Sequence, residues 1–435
     1  MRRAALSAAL VAAALLASCA PLPPPRSPAP PPARGPAGST PPAPTAEPYR
    51  LDHEPMVDIG LSWDQDTLRV SGDLRVRSDA LAERSERTLE VRVAAHGMRV
   101  VGGTDREAAE LGTDDTLWVS SSHPGLGLTW NGSTWRGTLR IFVNPRHQLS
   151  LAVRVPLESY LLGVVPGEIG GLAEPLVEAG RAQAIAARSY TLYYLGRRAS
   201  EGFDLFGTVE DQVYGPVESE RPLATRCVDD TRGRVVLSQG RPIRANYCAN
   251  CGGITAEAWE AWPTPPQPYL TSHLDRDGGF WCSSSPLYRW REEWTPAELA
   301  SNLERYGPLQ QIPIPRGGVG EILDMNVTAR SRSGRVWTLS VRTTTGTVVI
   351  PAYAVRFVLR RGGHPNSILR STLFKIDVRH DPRTGRALAI VASGAGSGHG
   401  VGLCQTGALG MARGGRKAAE ILGHYYPESR IERLY

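Results

Sequence analysis

PLESYLLGVVPGEIGGLAEPLVEAGRAQAIAARSYTLYYLGRR, residues 156–198, is the stretch around which the rest of the chain is organised. Leu157, Tyr160, Leu161 and Val164 recur at the three- and four-residue spacing of a buried helical face. Pro166-Gly167 predicts the end of that helix, because proline disfavours a helical residue before it and glycine frees the next turn. Glu168 and Ile169 then fall in a break, and Gly170-Gly171 supplies a second hinge. Pro175 marks the start of a longer helix, where a missing N–H costs nothing. Leu172, Leu176, Ala179, Gln183, Ala186, Tyr190 and Tyr193 run along it as one stripe, and Arg181 and Arg188 share a face. A glutamate after Pro-Gly is ordinarily a solvated loop residue. The competing reading is catalytic, since Val164, Val165 and Ile169 would raise the Glu168 pKa by desolvation, as a general acid requires.

On the N-terminal side, residues 56–150 read as short strands. VDIGLSW, DTLRVSGDLRVRS, TLEVRVAA, TLWVSS and STWRGTLRIFVN are β-branched or aromatic and alternate with polar residues between turns. Trp130 and Trp135 fall among them and read as core packing ahead of sugar stacking. On the C-terminal side, TRGRVVLSQGRPIRANYCANCGG predicts a hairpin about Gln239-Gly240, its second strand ending in the cysteine pair. EILDMNVTAR and VWTLSVRTTTGTVVIP add strands, and Thr295-Pro296 starts a helix. Residues 283–385 thus read as scaffold. The fold class is α+β: a mostly-β module at 49–150, then a unit at 151–435 with a central helix–break–helix segment and a strand-rich C-terminal part.

VPLESYLLGVVPGE, EAGRAQAIAARSYTL, TVEDQVYGPVE, ANYCANCGGITAEAW and GHGVGLCQTGALGMARGG occur in that order. Together they resemble the SpoIID/LytB family of sporulation and cell-wall proteins, over residues from about 130 to 435. The resemblance implies a peptidoglycan lytic transglycosylase, with Glu168 as its catalytic acid and glycan strands as substrate. It implies substrate-binding roles for Arg188, Tyr190, Gln212, Tyr214, His399 and Gln405, with Asp211 beside the same cleft. Some members are described as enhancers of N-acetylmuramoyl-L-alanine amidases, so a wall-binding partner without activity is the second reading. The glycine-rich segment lacks the GK[ST] ending of a P-loop, and too little chain follows it for a dinucleotide unit. Nucleotide binding is excluded, and no nucleic-acid partner is expected.

MRRAALSAALVAAALLASCA opens the chain with two arginines and an apolar run short for a membrane span. Leu16-Ala17-Ser18-Cys19 looks like a bacterial lipobox. The expectation is a signal peptide at 1–18, a lipid on Cys19 that anchors the protein to the membrane, and a proline-rich tether at 19–48. That makes an exported envelope lipoprotein, at the outer membrane or periplasm if the cell is Gram-negative. A formal charge of +6 and a pI near 9.1 suit an anionic polymer such as cell wall without identifying it.

The remaining cysteines are Cys227, Cys248, Cys251, Cys282 and Cys404. Cys227 lies on an apolar-periodic segment and reads as an inert buried thiol. Cys248 and Cys251 form a C-x2-C knuckle that Cys282 and Cys404 would complete as a four-thiolate site, with His273 a further candidate ligand. Disulfides among the same residues are the alternative that an oxidising compartment favours. Either is structural: no cofactor is expected for catalysis, and zinc enters only as a structural ion.

Overall fold

The computed structural model describes residues 49–103, 108–123, 125 and 127–435, so the leader, Cys19 and the proline tether lie outside the described residues. The architecture is α+β. Nearly all the N-terminal strands join one sheet. Its main path runs Leu205–Phe206, Met56–Gln65, Leu149–Pro156, Thr138–Val143, Thr116–Ser121, Thr67–Arg77, Arg84–Ala94, Gly97–Gly102, Ala109–Gly112. Alternation explains most of it: Leu68 and Val70, or Leu74 and Val76, are buried while the residues beside them are more exposed. Leu149–Pro156 departs from alternation and is buried on both faces through Val153. That strand feeds without a loop into the next helix, and the sheet and the helices behind it share one core. The boundary expected at residue 150 therefore falls inside a strand. Trp135 is buried and packs on Trp130 and Tyr214, with ring centroids 6.0 and 5.4 Å away.

The helix Leu157–Ile169 does not break at Pro166; it runs through the proline and carries Glu168 in its last turn. An interior proline costs about 3 kcal/mol. Leu161, Val164 and Val165, all fully buried, each offset about 1.5–3 kcal/mol. Packing therefore outweighs the lost hydrogen bond, and the stop moves to Gly170, whose φ of 77° is left-handed. A single 3-10 turn at Glu174–Leu176 leads into the helix Val177–Tyr194. Its Ala179, Ala182 and Ala186 have no exposed surface, and it contacts the helices Pro222–Asp230, Gln405–Arg413 and Ala418–Tyr425.

The Leu157–Ile169 helix also lies against the 213–215 loop. A Cβ on Gly163 would sit 2.4 Å from the Gly215 carbonyl oxygen and 2.7 Å from the Tyr214 ring. Gly163→Ala is thus expected to cost about 1–3 kcal/mol, as overpacking against backbone does. Urea unfolding checks this, and an unchanged midpoint would rule out the close approach.

A second core, from Trp290 to Ala392, belongs to an excursion with its own two three-stranded sheets and the helices Pro296–Tyr306 and Ala352–Leu359. Thr295 caps the first of these helices, accepting from Glu298 N–H. When the chain returns, Leu403–Cys404 pairs in parallel with Tyr247–Cys248. The hairpin expected at Gln239-Gly240 forms, but its second strand is only Arg241–Pro242. The cysteine pair follows on a separate strand that needs this distant partner. Among the described residues no helix is long and apolar enough to cross a membrane.

Candidate active site

Glu168 is brought against two remote segments. Its Oε1 accepts the Val213 backbone N–H at 2.8 Å, and its Oε2 faces Gln405 Nε2 at 3.5 Å. The same amide nitrogen lies 3.5 Å from Oε1 of Gln183, which is fully buried. The Tyr247 hydroxyl is buried beside the carboxylate without a well-formed hydrogen bond of its own. Burial raises the Glu168 pKa more than Val213, Gln405 and Tyr247 lower it, so the carboxyl titrates above its ordinary range. Burial also lifts the Tyr160 and Tyr247 phenols, which stay neutral.

Gln405 therefore belongs to the site, and His399 lies near it. The His399 ring stacks on Trp262 at 4.7 Å, and its Nδ1 accepts the Val401 N–H at 3.0 Å. Burial, then Arg356, Arg335 and Arg244, push its pKa down to about 3, so the imidazole is neutral. Tyr190 is nearly covered, stacked on Tyr194 at 4.6 Å and 6.2 Å from the Tyr247 ring.

Three expected contacts to substrate are corrected. Arg188 is fully buried behind the site, its Nη2 and Nε on the Glu158 carboxylate at 2.6 and 2.9 Å. Gln212 has no exposed surface and donates to the Tyr160 and Thr191 hydroxyls, both at 3.3 Å. Tyr214 is buried between Trp135 and Tyr160. Asp211 is likewise held by Arg197 at 2.8 Å, Arg198 at 3.1 Å and the Phe206 N–H at 2.9 Å. Arg188, the Gln212 amide nitrogen and Asp211 each meet partners from distant segments, and Tyr214 is covered by rings, which the local sequence does not reveal.

The cysteines also rearrange. Cys251, Cys282, Cys404 and Asp275 place one ligand atom each within 4.8 Å of one another, all buried. No disulfide joins the described cysteines. Cys248 is outside the cluster and packs under Gly398, and His273 bonds Thr255 Oγ1 at 3.2 Å instead. Cys404 Sγ accepts the N–H groups of Cys251 and Gly407, at 3.2 and 3.3 Å. Hydrogen bonds with Cys251 and Cys404 push the Cys282 thiol down to about 5. Asp275 points its second oxygen at Tyr425 Oη, 2.8 Å, and His424 Nε2, 3.2 Å. Three thiols, a carboxylate and an outer layer that orients them fit the donor preference of a tetrahedral zinc ion. Cys404 immediately precedes Gln405, so the cluster clamps the strand pair that presents Gln405 and Tyr247 to Glu168. Cys227 stands apart, buried and unpaired, its thiol raised to about 11 by burial.

Fold and site together define an α+β protein that presents one half-buried carboxylate, its pKa raised by desolvation, from a helix end. Comparison with known proteins bears on its kinship. Residues 145–237 match the model described as Stage II sporulation protein (SpoIID), and residues 269–402 match a domain of unknown function (DUF8618). The chain is 28% identical over 313 residues to an uncharacterized protein of Brachyspira hyodysenteriae, covering 69% of this chain and 73% of the relative. It is 27% identical over 302 residues to the Stage II sporulation protein D of Bacillus subtilis, covering 64% and 74%. Against the amidase enhancer of Bacillus subtilis it is 26% identical over 309 residues, covering 61% of this chain but 39% of that longer relative. The SpoIID segment and these relatives support a SpoIID/LytB kinship for the chain.

Proposed function

We propose that the protein is a peptidoglycan lytic transglycosylase in which Glu168 is the general acid and then the general base. The observation that carries this is the Glu168 carboxyl itself, its pKa raised by desolvation as a general acid requires and one oxygen fixed by the Val213 N–H. Ordinary glycosidases use two carboxylates. Here the N-acetylmuramic acid 6-hydroxyl is already tethered to the reacting carbon, an intramolecular advantage that replaces a second protein group. Glu168 gives its proton to the glycosidic oxygen as the C1–O bond breaks. It then takes the 6-hydroxyl proton as O6 bonds to C1, leaving a 1,6-anhydro end. Asp211 is held by Arg197 and Arg198 and takes no part. The lipobox at Cys19 and the proline tether support an envelope lipoprotein that reaches into the wall from its membrane.

The likeness to an amidase enhancer supports a second reading, a peptidoglycan-binding activator. Mass spectrometry of glycan strands treated with the full chain, with and without a purified N-acetylmuramoyl-L-alanine amidase, separates the two. Anhydro ends from the chain alone support the transglycosylase. Products that appear only with the amidase, and only as its products, support the enhancer.

We also propose that Cys251, Asp275, Cys282 and Cys404 hold a structural zinc ion, which would supply no step of the reaction. The chain isolated from its host is expected to carry one zinc, and chelation to lower its thermal midpoint. Cys282→Ser should remove the metal, whereas Cys248→Ser should retain it. Equal zinc content in both variants would refute this ligand set.

A further inference from the structure

Most buried or half-buried arginines here find a carboxylate: Arg188 on Glu158, Arg197 and Arg198 on Asp211, Arg361 and Arg370 on Glu292. Around His399 the pattern is reversed. Arg244, Arg335 and Arg356 all act on its ring, and none forms an ion pair among the described residues. Arg335 donates from Nη2 to the Cys251 and Ile254 carbonyls at 2.9 and 3.1 Å and from Nη1 to Ser333 Oγ at 2.9 Å, leaving only its Nε unpartnered, and Arg356 Nε donates to the Leu369 carbonyl at 2.8 Å.

Arg244 is less well partnered than either. It is 8% exposed, and its side chain makes one long hydrogen bond, Nη1 to Thr264 Oγ1 at 3.4 Å. Its Nε is buried with no acceptor, and its one side-chain bond uses Nη1, so Nη2 has no partner among the described residues. The guanidinium lies on the Trp262 face, 4.5 Å from the ring centroid, with Tyr194 at 5.8 Å. Stacking occupies its faces and leaves the Nε/Nη2 edge. The same edge grips Glu158 from Arg188 and Glu220 from Arg136. A buried cation with an unpaired fork is costly unless an anion completes it. Arg244 precedes Tyr247 by three residues, and Tyr247 lies beside the Glu168 carboxylate, so the chain that carries the guanidinium also lines the catalytic side of the site.

We infer that Arg244, framed by Trp262 and Tyr194, is a recognition site for a carboxylate on the muramoyl unit, and that it sets the register of the strand over Glu168. The carboxylate is that of the lactyl ether or one carried by the stem peptide. This rests on the glycan-strand reading above and adds the residue that reads the substrate's charge. Bidentate pairing of a guanidinium with a carboxylate supplies both affinity and orientation.

The test is binding calorimetry on the full chain carrying Glu168→Gln, so that nothing turns over. Four probes are used: a muramoyl tetrasaccharide with free lactyl carboxylates, its methyl ester, the same sugar with stem peptides, and chitotetraose. The expected result is about tenfold tighter binding of a carboxylate-bearing probe than of the ester or chitotetraose, the scale of one charge-assisted pair. Which acid probe shows the gain identifies the source of the carboxylate. Adding Arg244→Gln should erase the gain and leave chitotetraose affinity unchanged; Arg244→Lys, which keeps charge but loses the fork, should retain part of it. If Arg244→Gln does not fold, the acid-versus-ester comparison and the lysine variant still decide. Full discrimination without Arg244, or none with it, overturns the site while leaving the glycan reading intact. No binding of any probe removes both.

Discussion

Glu168→Gln is expected to lower the release of anhydro-ended fragments by about 10²–10⁴-fold, the contribution of a positioned acid–base group, while leaving strand binding close to wild type. Glutamine keeps the size of the side chain and can still accept the Val213 N–H, so the variant removes the proton and little else. The same substitution should stabilise the fold at neutral and higher pH. Burial raises the folded pKa of Glu168 above its ordinary value. The unfolded chain therefore ionises first, and stability falls as pH climbs from the ordinary glutamate range through the raised folded value. Glutamine does not titrate, so the thermal midpoints of variant and wild type should converge in acid and separate across that window. Activity of the wild type should fall over the same rise in pH, as the acid form is lost. A variant less stable than wild type at pH 8 would contradict the desolvated site.

Arg188→Gln is expected to cost about 3–5 kcal/mol in urea unfolding, because it leaves Glu158 buried without its counter-ion. The Tyr435 hydroxyl at 2.5 Å and the Gly233 N–H at 3.1 Å would remain, and neither carries charge. Replacing both partners, as Glu158→Leu with Arg188→Met, should cost far less, since no charge is then stranded. Burial alone would raise the Glu158 pKa, but hydrogen bonds and charge from Arg188, with Tyr435 and Gly233, bring it below the ordinary range. That stability is present above the ordinary glutamate pKa and is lost as pH falls through the depressed folded value. The variant should lose this acid limb. A cost under about 1 kcal/mol would place the pair in a wetter setting than its burial implies.

Local chemistry made part of this site legible. Glu168, Gln405 and His399 stand in glycine-marked segments; Gln405 comes within 3.5 Å of the Glu168 carboxylate, and His399 meets the backbone of Tyr247 beside it. The helices flanking Glu168 followed from apolar spacing alone. Pro166 misled because propensity is local while the burial that overrides it is tertiary. Arg188, Gln212 and Tyr214 mislead for the opposite reason: polar atoms on a motif suggest substrate, and the pairing of Arg188 with Glu158, of Gln212 with Tyr160 and Thr191, and the burial of Tyr214 between rings depend on contacts across the fold. Val213 contributes a backbone N–H, which no side-chain pattern can mark. Asp275 was within reach of a sequence reading, being an acid a few residues ahead of Cys282. No spacing motif ties it to the thiols, and the C-x2-C pattern points to Cys248 instead.

The central claim is that Glu168 directs cleavage without water, and isotope incorporation tests it most directly. Purified glycan strands would be digested by the full chain in water enriched in heavy oxygen, and the new ends read by mass spectrometry. Transfer to the internal 6-hydroxyl predicts anhydro ends carrying no solvent oxygen. New reducing ends labelled with solvent oxygen would show hydrolysis, and would contradict the account.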